Sequence, residues 1–104
     1  LIGGLRKGKI VAGPRRDELP PEPLWKELND NHELIATGTI FWQDGEPKIH
    51  LHGAFGRANE VSVGCLRERG EVFLIIEAVI IEIKGISAER VFDPATGLNL
   101  LKIE

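Results

Sequence analysis

The chain has 104 residues, a formal net charge of −3 and an isoelectric point near 5.6. This is the length of one domain, and 42% hydrophobic with 28% charged residues is typical of a soluble globular protein. The acidic balance argues against broad, sequence-independent binding of nucleic acid, which needs a basic surface. The only local basic candidates are Arg6, Lys7, Lys9, Arg15 and Arg16.

Cysteine usage and hydropathy set the expected compartment. The single cysteine, Cys65, excludes an intrachain disulfide and favours a reducing, cytoplasmic environment. The longest apolar run is interrupted by Glu77 and Glu82, so no membrane-spanning segment is expected.

The first third of the chain alternates between extended and loop patterns. Residues 5–12 alternate loosely and predict a strand. Residues 13–23 hold four of the six prolines and predict an exposed loop. Residues 23–30, with Pro23 near the start and Asn29 near the end, predict a short helix or turn.

From residue 34 onward the sequence predicts strands. The Asp44-Gly45 dipeptide predicts a hairpin between residues 34–43 and 47–55, and "GRANE" predicts a second turn into residues 61–67. A break is expected at Arg69–Gly70, followed by the strongest strand of the chain over residues 71–83. A last hairpin turns at "DPATG". We therefore expect an α+β domain, predominantly an antiparallel sheet with one or two short helices.

The predicted strand over residues 71–83 is apolar on both faces. One face carries Phe73, Ile75, Val79 and Ile81, and the other carries Val72, Leu74, Ile76, Ala78 and Ile80. Both faces must be covered, either by a second copy of the chain or by a sheet that closes into a barrel or folds as a sandwich. We favour self-association, because so short a chain has little with which to cover a second face.

Two of the three histidines, His50 and His52, lie two residues apart on a predicted strand. Residues at this spacing project to the same face, so both imidazoles can reach one metal ion. If "GRANE" forms a hairpin, His52 lies opposite a position around 64–66, where Cys65 occurs. Two imidazoles and a thiolate form a ligand set suited to zinc, with a fourth position left for water or a substrate.

A structural interpretation of the same residues stays open. Paired histidines on a sheet are often only hydrogen-bonded to neighbours, and a lone cysteine is often a small buried hydrophobe. A register error of one residue would place Cys65 on the opposite face. His32, beside Asn29, Asp30 and Asn31, has the setting of a solvated turn residue.

Glu77 interrupts an apolar face, where an unpaired carboxylate costs several kcal/mol. We expect it to pair with an arginine across a subunit contact. The alternatives are a hydrogen bond that orients a metal-binding histidine, and a role as a general acid or base. No other pattern indicates a nucleophile or a phosphate-binding loop, so the residues favour a protein that is not an enzyme.

Three stretches together resemble the plant and prokaryote conserved domain, also described as PD1-like. They are "ELIATGTIFWQDGEPKIHLHGAFG", "VSVGCLRERGEVFLIIEAVI" and "AERVFDPATGLNLL". The resemblance covers roughly residues 1–103. The opening "IGGLRKGKIV" looks like the family segment that follows its first strand and helix, so residues 1–104 would form a single domain without that unit.

The resemblance implies a mixed α/β domain that assembles as a homotrimer. Many members have Gly-Gly-His-Leu where this chain has Val63-Gly64-Cys65-Leu66, so Cys65 takes the place of a third histidine in a metal site. Plant members bind DNA beside AT-hooks, but the Arg-Gly-Arg-Pro core of an AT-hook is absent here. Two hypotheses follow: a trimeric interaction module with DNA binding by analogy, or a zinc site at His50, His52 and Cys65 that binds or hydrolyses a small ligand.

Overall fold

The computed structural model describes residues 1–104 and contains seven strands and no helix. The strands are β1 (Ile2–Pro14), β2 (Pro23–Leu28), β3 (His32–Gln43), β4 (Glu46–Arg57), β5 (Glu60–Glu77), β6 (Ala88–Asp93) and β7 (Leu98–Ile103). They form one sheet in the order β2-β1-β5-β4-β3-β6-β7. The expected α+β class with short helices is therefore wrong, and the chain is all-β.

The short helix or turn predicted over residues 23–30 is the clearest error. This segment forms β2, which pairs antiparallel with β1 from Gly8↔Leu28 to Pro14↔Pro23. A helix of two turns is marginal without tertiary support. In β2 the segment forms backbone hydrogen bonds to β1 along one edge and buries Leu28 in the core. Pairing with β1 thus outweighs the weak local helix signal.

Four of the strands close into a ring. β5 pairs with β1 and β4, and β4 pairs with β3. β3 returns to β1 through Ile2↔Ile35 to Leu5↔His32. The core is made by Leu5, Ile10, Leu34 and Phe55 of the ring strands together with Leu28 of β2. Because β1 pairs with β3, the ring is closed at this point and neither strand has a free edge there.

Two short turns fix the register of the central hairpins. Asp44 and Gly45 both have positive φ, 51° and 77°, which is the conformation of a two-residue hairpin turn with matching twist. β3 then pairs with β4 from Gln43↔Glu46 onward. Ala58, with φ of 52°, turns β4 into β5 at Arg57↔Glu60. Both predicted hairpins are confirmed.

β5 differs from the predicted pattern in two places. It runs unbroken through the expected break at Arg69–Gly70, where the ladder with β1 is irregular and Glu68 has positive φ. The strand then ends at Glu77 rather than at residue 83. The predicted break is therefore a bulge, which bends a strand without ending it.

Residues 78–83, here called the apolar arm, belong to no strand. Val79 is 86% exposed and Ile81 is 81% exposed. The arm lines an open, mostly apolar groove of about 810 Å³ together with residues of β3, β4 and β5. The apolar residues of the arm therefore have no cover within one chain.

The remaining segments agree with their predictions. Residues 15–22 form an exposed loop between β1 and β2. β6 and β7 form the last hairpin, whose turn is held by Asp93 Oδ2 accepting from the Thr96 amide at 3.1 Å and the Thr96 hydroxyl at 2.7 Å. No helix of the chain could cross a membrane.

Candidate metal centre

The strand register brings His50, His52 and Cys65 together. On β4, His50 and His52 are two residues apart and share a face. His52 pairs directly with Cys65 on β5, and His50 pairs with Thr39 on β3. The predicted juxtaposition of His52 and Cys65 is therefore present, and the two hairpin turns are what produce it.

The cysteine reaches this position because β5 approaches β1 closely. A Cβ placed on Gly64 would collide with the backbone carbonyl of Val11, so a side chain at this position would push the strands apart. Val11 pairs with Cys65 across the same ladder. Gly64 thus permits the close packing that buries Cys65, which is only 4% exposed.

The ligand atoms of the three residues all lie within 4.8 Å of one another. His50 Nε2 and His52 Nε2 are 2.9 Å apart, and their rings meet edge to face at 70°. Zinc holds imidazole nitrogens at about 2.0–2.1 Å in a tetrahedral arrangement, which separates two such nitrogens by a little over about 3 Å. The two nitrogens therefore need only a small movement to share one ion.

The donor set is open on one side. Cys65 is buried, His50 is half-buried and His52 is exposed. Three ligands with one accessible side is the arrangement of a metal site that keeps a position for a further ligand. The chemistry of two nitrogens and one sulfur favours zinc among the common divalent metals.

Two arginines contact the triad. Arg67 Nε donates to Cys65 Sγ at 3.1 Å. Arg90 Nη2 donates to His50 Nδ1 at 3.1 Å and to Thr39 Oγ1 at 3.1 Å. Burial lowers the pKa of His50 below its ordinary value of 6.5, and the charges of Arg90, His52 and Arg67 lower it further. His50 is thereby kept in the neutral form that binds metal.

Sequence reasoning missed both arginines. Arg67 could have been found, because it follows Cys65 by two residues and so shares its face of β5. Arg90 could not, because it lies on β6, which joins β3 through a single parallel pair, Trp42↔Glu89. A contact of this kind leaves no periodic signal in the sequence.

The other two site candidates lie elsewhere. Glu77 is exposed at the end of β5, opposite Ile2, and is not part of the cluster of ligand atoms. It forms no ion pair within the chain. His32 begins β3, where its Nδ1 lies 2.6 Å from the Asp30 carbonyl oxygen, as expected for a turn residue.

Comparison with known families identifies the class. The family model of the Plants and Prokaryotes Conserved (PCC) domain matches residues 1–84. The chain therefore belongs to this family, as the sequence resemblance predicted. None of the curated proteins matches the chain.

Two solved structures share the fold. A metal-containing protein from Archaeoglobus fulgidus is 27% identical, with a TM-score of 0.62 over 95% of this chain and 68% of that chain. A candidate DNA-binding protein from Ralstonia eutropha JMP134 is 20% identical, with a TM-score of 0.63 over 97% of this chain and 68% of that chain. The second similarity, at its low identity, concerns the fold alone.

Proposed function

We propose that this chain is a zinc-binding domain in which His50, His52 and Cys65 hold the metal. The observation that carries the proposal is the convergence of three ligand atoms within 4.8 Å from two neighbouring strands. The metal-containing archaeal protein of the same fold supports it. Neutral imidazoles and a thiolate are the ligand forms that zinc requires.

Ligand binding is a better proposal than catalysis for this site. A bound zinc ion would act as a Lewis acid toward a further ligand. The residues around the triad are Arg67, Arg90 and Thr39, none of which is a general base at neutral pH. Glu77, the acid/base candidate from the sequence, is outside the cluster. The chain's own residues thus hold and orient a ligand without a group to accept its proton.

The exposed apolar arm supports self-association as the second part of the function. Val79 and Ile81 of the arm are 86% and 81% exposed, and Leu74, near the end of β5, is 86% exposed. Apolar surface of this kind on one chain is typical of an interface between copies. We propose a homo-oligomer that covers the arm, and the trimer implied by the family is the assembly to test first.

DNA binding has weaker support. Four of the basic candidates, Arg6, Lys9, Arg15 and Arg16, form ion pairs with glutamates. Arg15 and Arg16 share one carboxylate, that of Glu22, and together the ion pairs lower the local positive charge, which weakens the case for a basic surface. Retention of the purified protein on immobilised DNA, weakening as the salt concentration rises, would support DNA binding.

Zinc titration of the metal-free protein tests the metal site. We expect one zinc ion per chain in the wild type. H52A and C65S should each weaken zinc binding at least about 100-fold, because each removes a metal ligand. Removal of a residue that only hydrogen-bonds to a ligand typically weakens metal affinity by about 10–100-fold. His32→Ala is the matched control and should bind as the wild type does. Equal binding by H52A, C65S and the control would overturn the proposal.

A further inference from the structure

Two cations without acidic partners lie at the triad. Four arginines form ion pairs with carboxylates, namely Arg6, Arg15, Arg16 and Arg57. Arg67 and Arg90 form none, and instead donate to Cys65 Sγ and His50 Nδ1. The metal centre is thus flanked by two guanidinium groups whose charge no carboxylate neutralises.

Arg90 occupies a position that metal binding must change. A guanidinium can only donate, so His50 Nδ1 is an acceptor and carries no proton in this contact. A metal-binding histidine instead donates its second ring N–H to an acceptor. When His50 binds through Nε2, its Nδ1 is protonated and repels Arg90. When it binds through Nδ1, the metal displaces Arg90. Either way, Arg90 needs a new acceptor.

Arg90 already has one unsatisfied donor. Its Nε is buried and has no hydrogen-bond partner within the chain. A buried donor without a partner costs about 1–3 kcal/mol. Release from His50 would leave a second Arg90 donor unpaired, and an acceptor bound at the triad would give it a new partner.

The charges at the site favour an anionic acceptor. Cys65 supplies at most one negative charge, whereas a divalent metal and two guanidinium groups supply four positive charges. This surplus lies in a half-buried site, where charges interact more strongly than in water. An anion would neutralise part of the surplus and accept from the guanidinium forks, which match the oxygens of carboxylates and phosphates.

We propose that the metal centre binds a small oxyanion, a carboxylate or a phosphate, with Arg67 and Arg90 as its receptor. This inference rests on the proposed zinc site and names the class of ligand that the site takes. The open side beside His52 gives the anion access. Arg67 and Arg90 lie on different strands, β5 and β6, so the anion would join the ring to the last hairpin.

Cobalt(II) in place of zinc makes the site visible by absorption spectroscopy. The cobalt-loaded wild type is titrated with acetate and, separately, with phosphate, at an ionic strength held constant with perchlorate. We expect a saturable change of the visible bands with one of the two anions or both, and the stronger response identifies carboxylate or phosphate as the preferred class. R67Q and R90Q should each weaken that anion at least tenfold.

Two further variants control the test. Arg69→Gln removes an arginine of β5 that contacts neither the triad nor a carboxylate, and should respond as the wild type does. Arg90→Lys keeps the charge but loses the fork, and should weaken the anion less than R90Q. If R90Q does not fold, R67Q and R90K carry the test.

The outcomes separate the two proposals. If cobalt bands appear in the wild type but do not change with either anion, the proposed anion site is overturned and the proposed metal site is supported. An equal response in R67Q, R90Q and R69Q would also overturn it. The absence of any cobalt band in the wild type would overturn the metal site and remove the anion site with it.

Discussion

The ring interior and the apolar arm both contain large apolar residues, but these residues end in opposite environments. Phe55 of β4 is fully buried, and Leu5 of β1 is 2% exposed. Val79 and Ile81 of the arm are more than 80% exposed. Phe55 and Leu5 lie on strands of the ring, whereas Val79 and Ile81 follow the end of β5 and belong to no strand.

Closure of the ring explains this contrast. β1, β3, β4 and β5 each pair with two other strands of the ring, so their inward side chains face one another and exclude water. The arm follows the end of β5, where the ladder with β1 has already ended at Ile2↔Glu77. An apolar pattern in the sequence therefore predicts that a side chain will be buried. The strand topology decides whether residues of the same chain can bury it.

The largest effect is expected in the ring interior. Phe55→Ala should lower the free energy of unfolding by about 3–5 kcal/mol, because it removes a buried ring and leaves a cavity among Leu5, Leu34 and Ile10. Phe92→Ala, at a position 60% exposed on β6, should cost less than about 1 kcal/mol. Urea denaturation measures both. Similar losses of unfolding free energy in the two variants would contradict the assignment of Phe55 to the core and of Phe92 to the surface.

Charges placed on the arm test whether other copies cover it. The double variant Val79→Glu/Ile81→Glu should weaken self-association at least about 100-fold, because an unpaired carboxylate buried at an interface costs several kcal/mol. Sedimentation velocity gives the change in mass. Lys84→Glu, next to the arm and already charged, is the control. A wild type that sediments as a monomer would contradict the account of the arm.

The hairpin turn that sets the register of the triad should show a smaller effect. Gly45→Ala places a side chain at a φ of 77° and should cost about 1–2 kcal/mol of unfolding free energy. Nothing lies within 4 Å of the added Cβ, so the backbone alone is responsible. Gly56→Ala, which also meets no close contact and needs no positive φ, should be neutral or slightly stabilising. Equal costs would show that the turn does not control this register.

The pH dependence of His50 gives the finest test of its surroundings. Burial, followed by Arg90, His52 and Arg67, lowers its pKa, so its NMR titration midpoint in the metal-free protein should fall below 6.5. The unfolded chain then takes up the proton first. This contribution to stability is therefore present above about pH 6.5 and declines as the pH falls toward the lower folded pKa. A midpoint at or above 6.5 would contradict the described environment of His50.

Local signals in the sequence were enough to predict the hairpins and the juxtaposition of His50, His52 and Cys65. Asp44-Gly45 marks a turn whose conformation few other residue pairs adopt, and a two-residue spacing places His50 and His52 on one face. Once the second hairpin is centred near residue 58, Cys65 follows from simple counting. These predictions depend only on residues close together in the sequence, so the sequence alone was enough to make them.

The errors concern contacts between distant segments. Residues 23–28 form β2 because β1 offers a partner, a fact that no local pattern carries. The contact of Arg90 with His50 depends on how β6 joins β3. The exposed state of the arm likewise depends on where the β1–β5 ladder ends. Long-range pairing, rather than composition, decided each of these features.

Native mass spectrometry of one untreated preparation tests the central claim most directly, since it reports metal content and assembly together. The account predicts an oligomer, a trimer first, that carries one zinc ion per chain at the His50, His52 and Cys65 site. A metal-free monomer from cells grown with adequate zinc would contradict it.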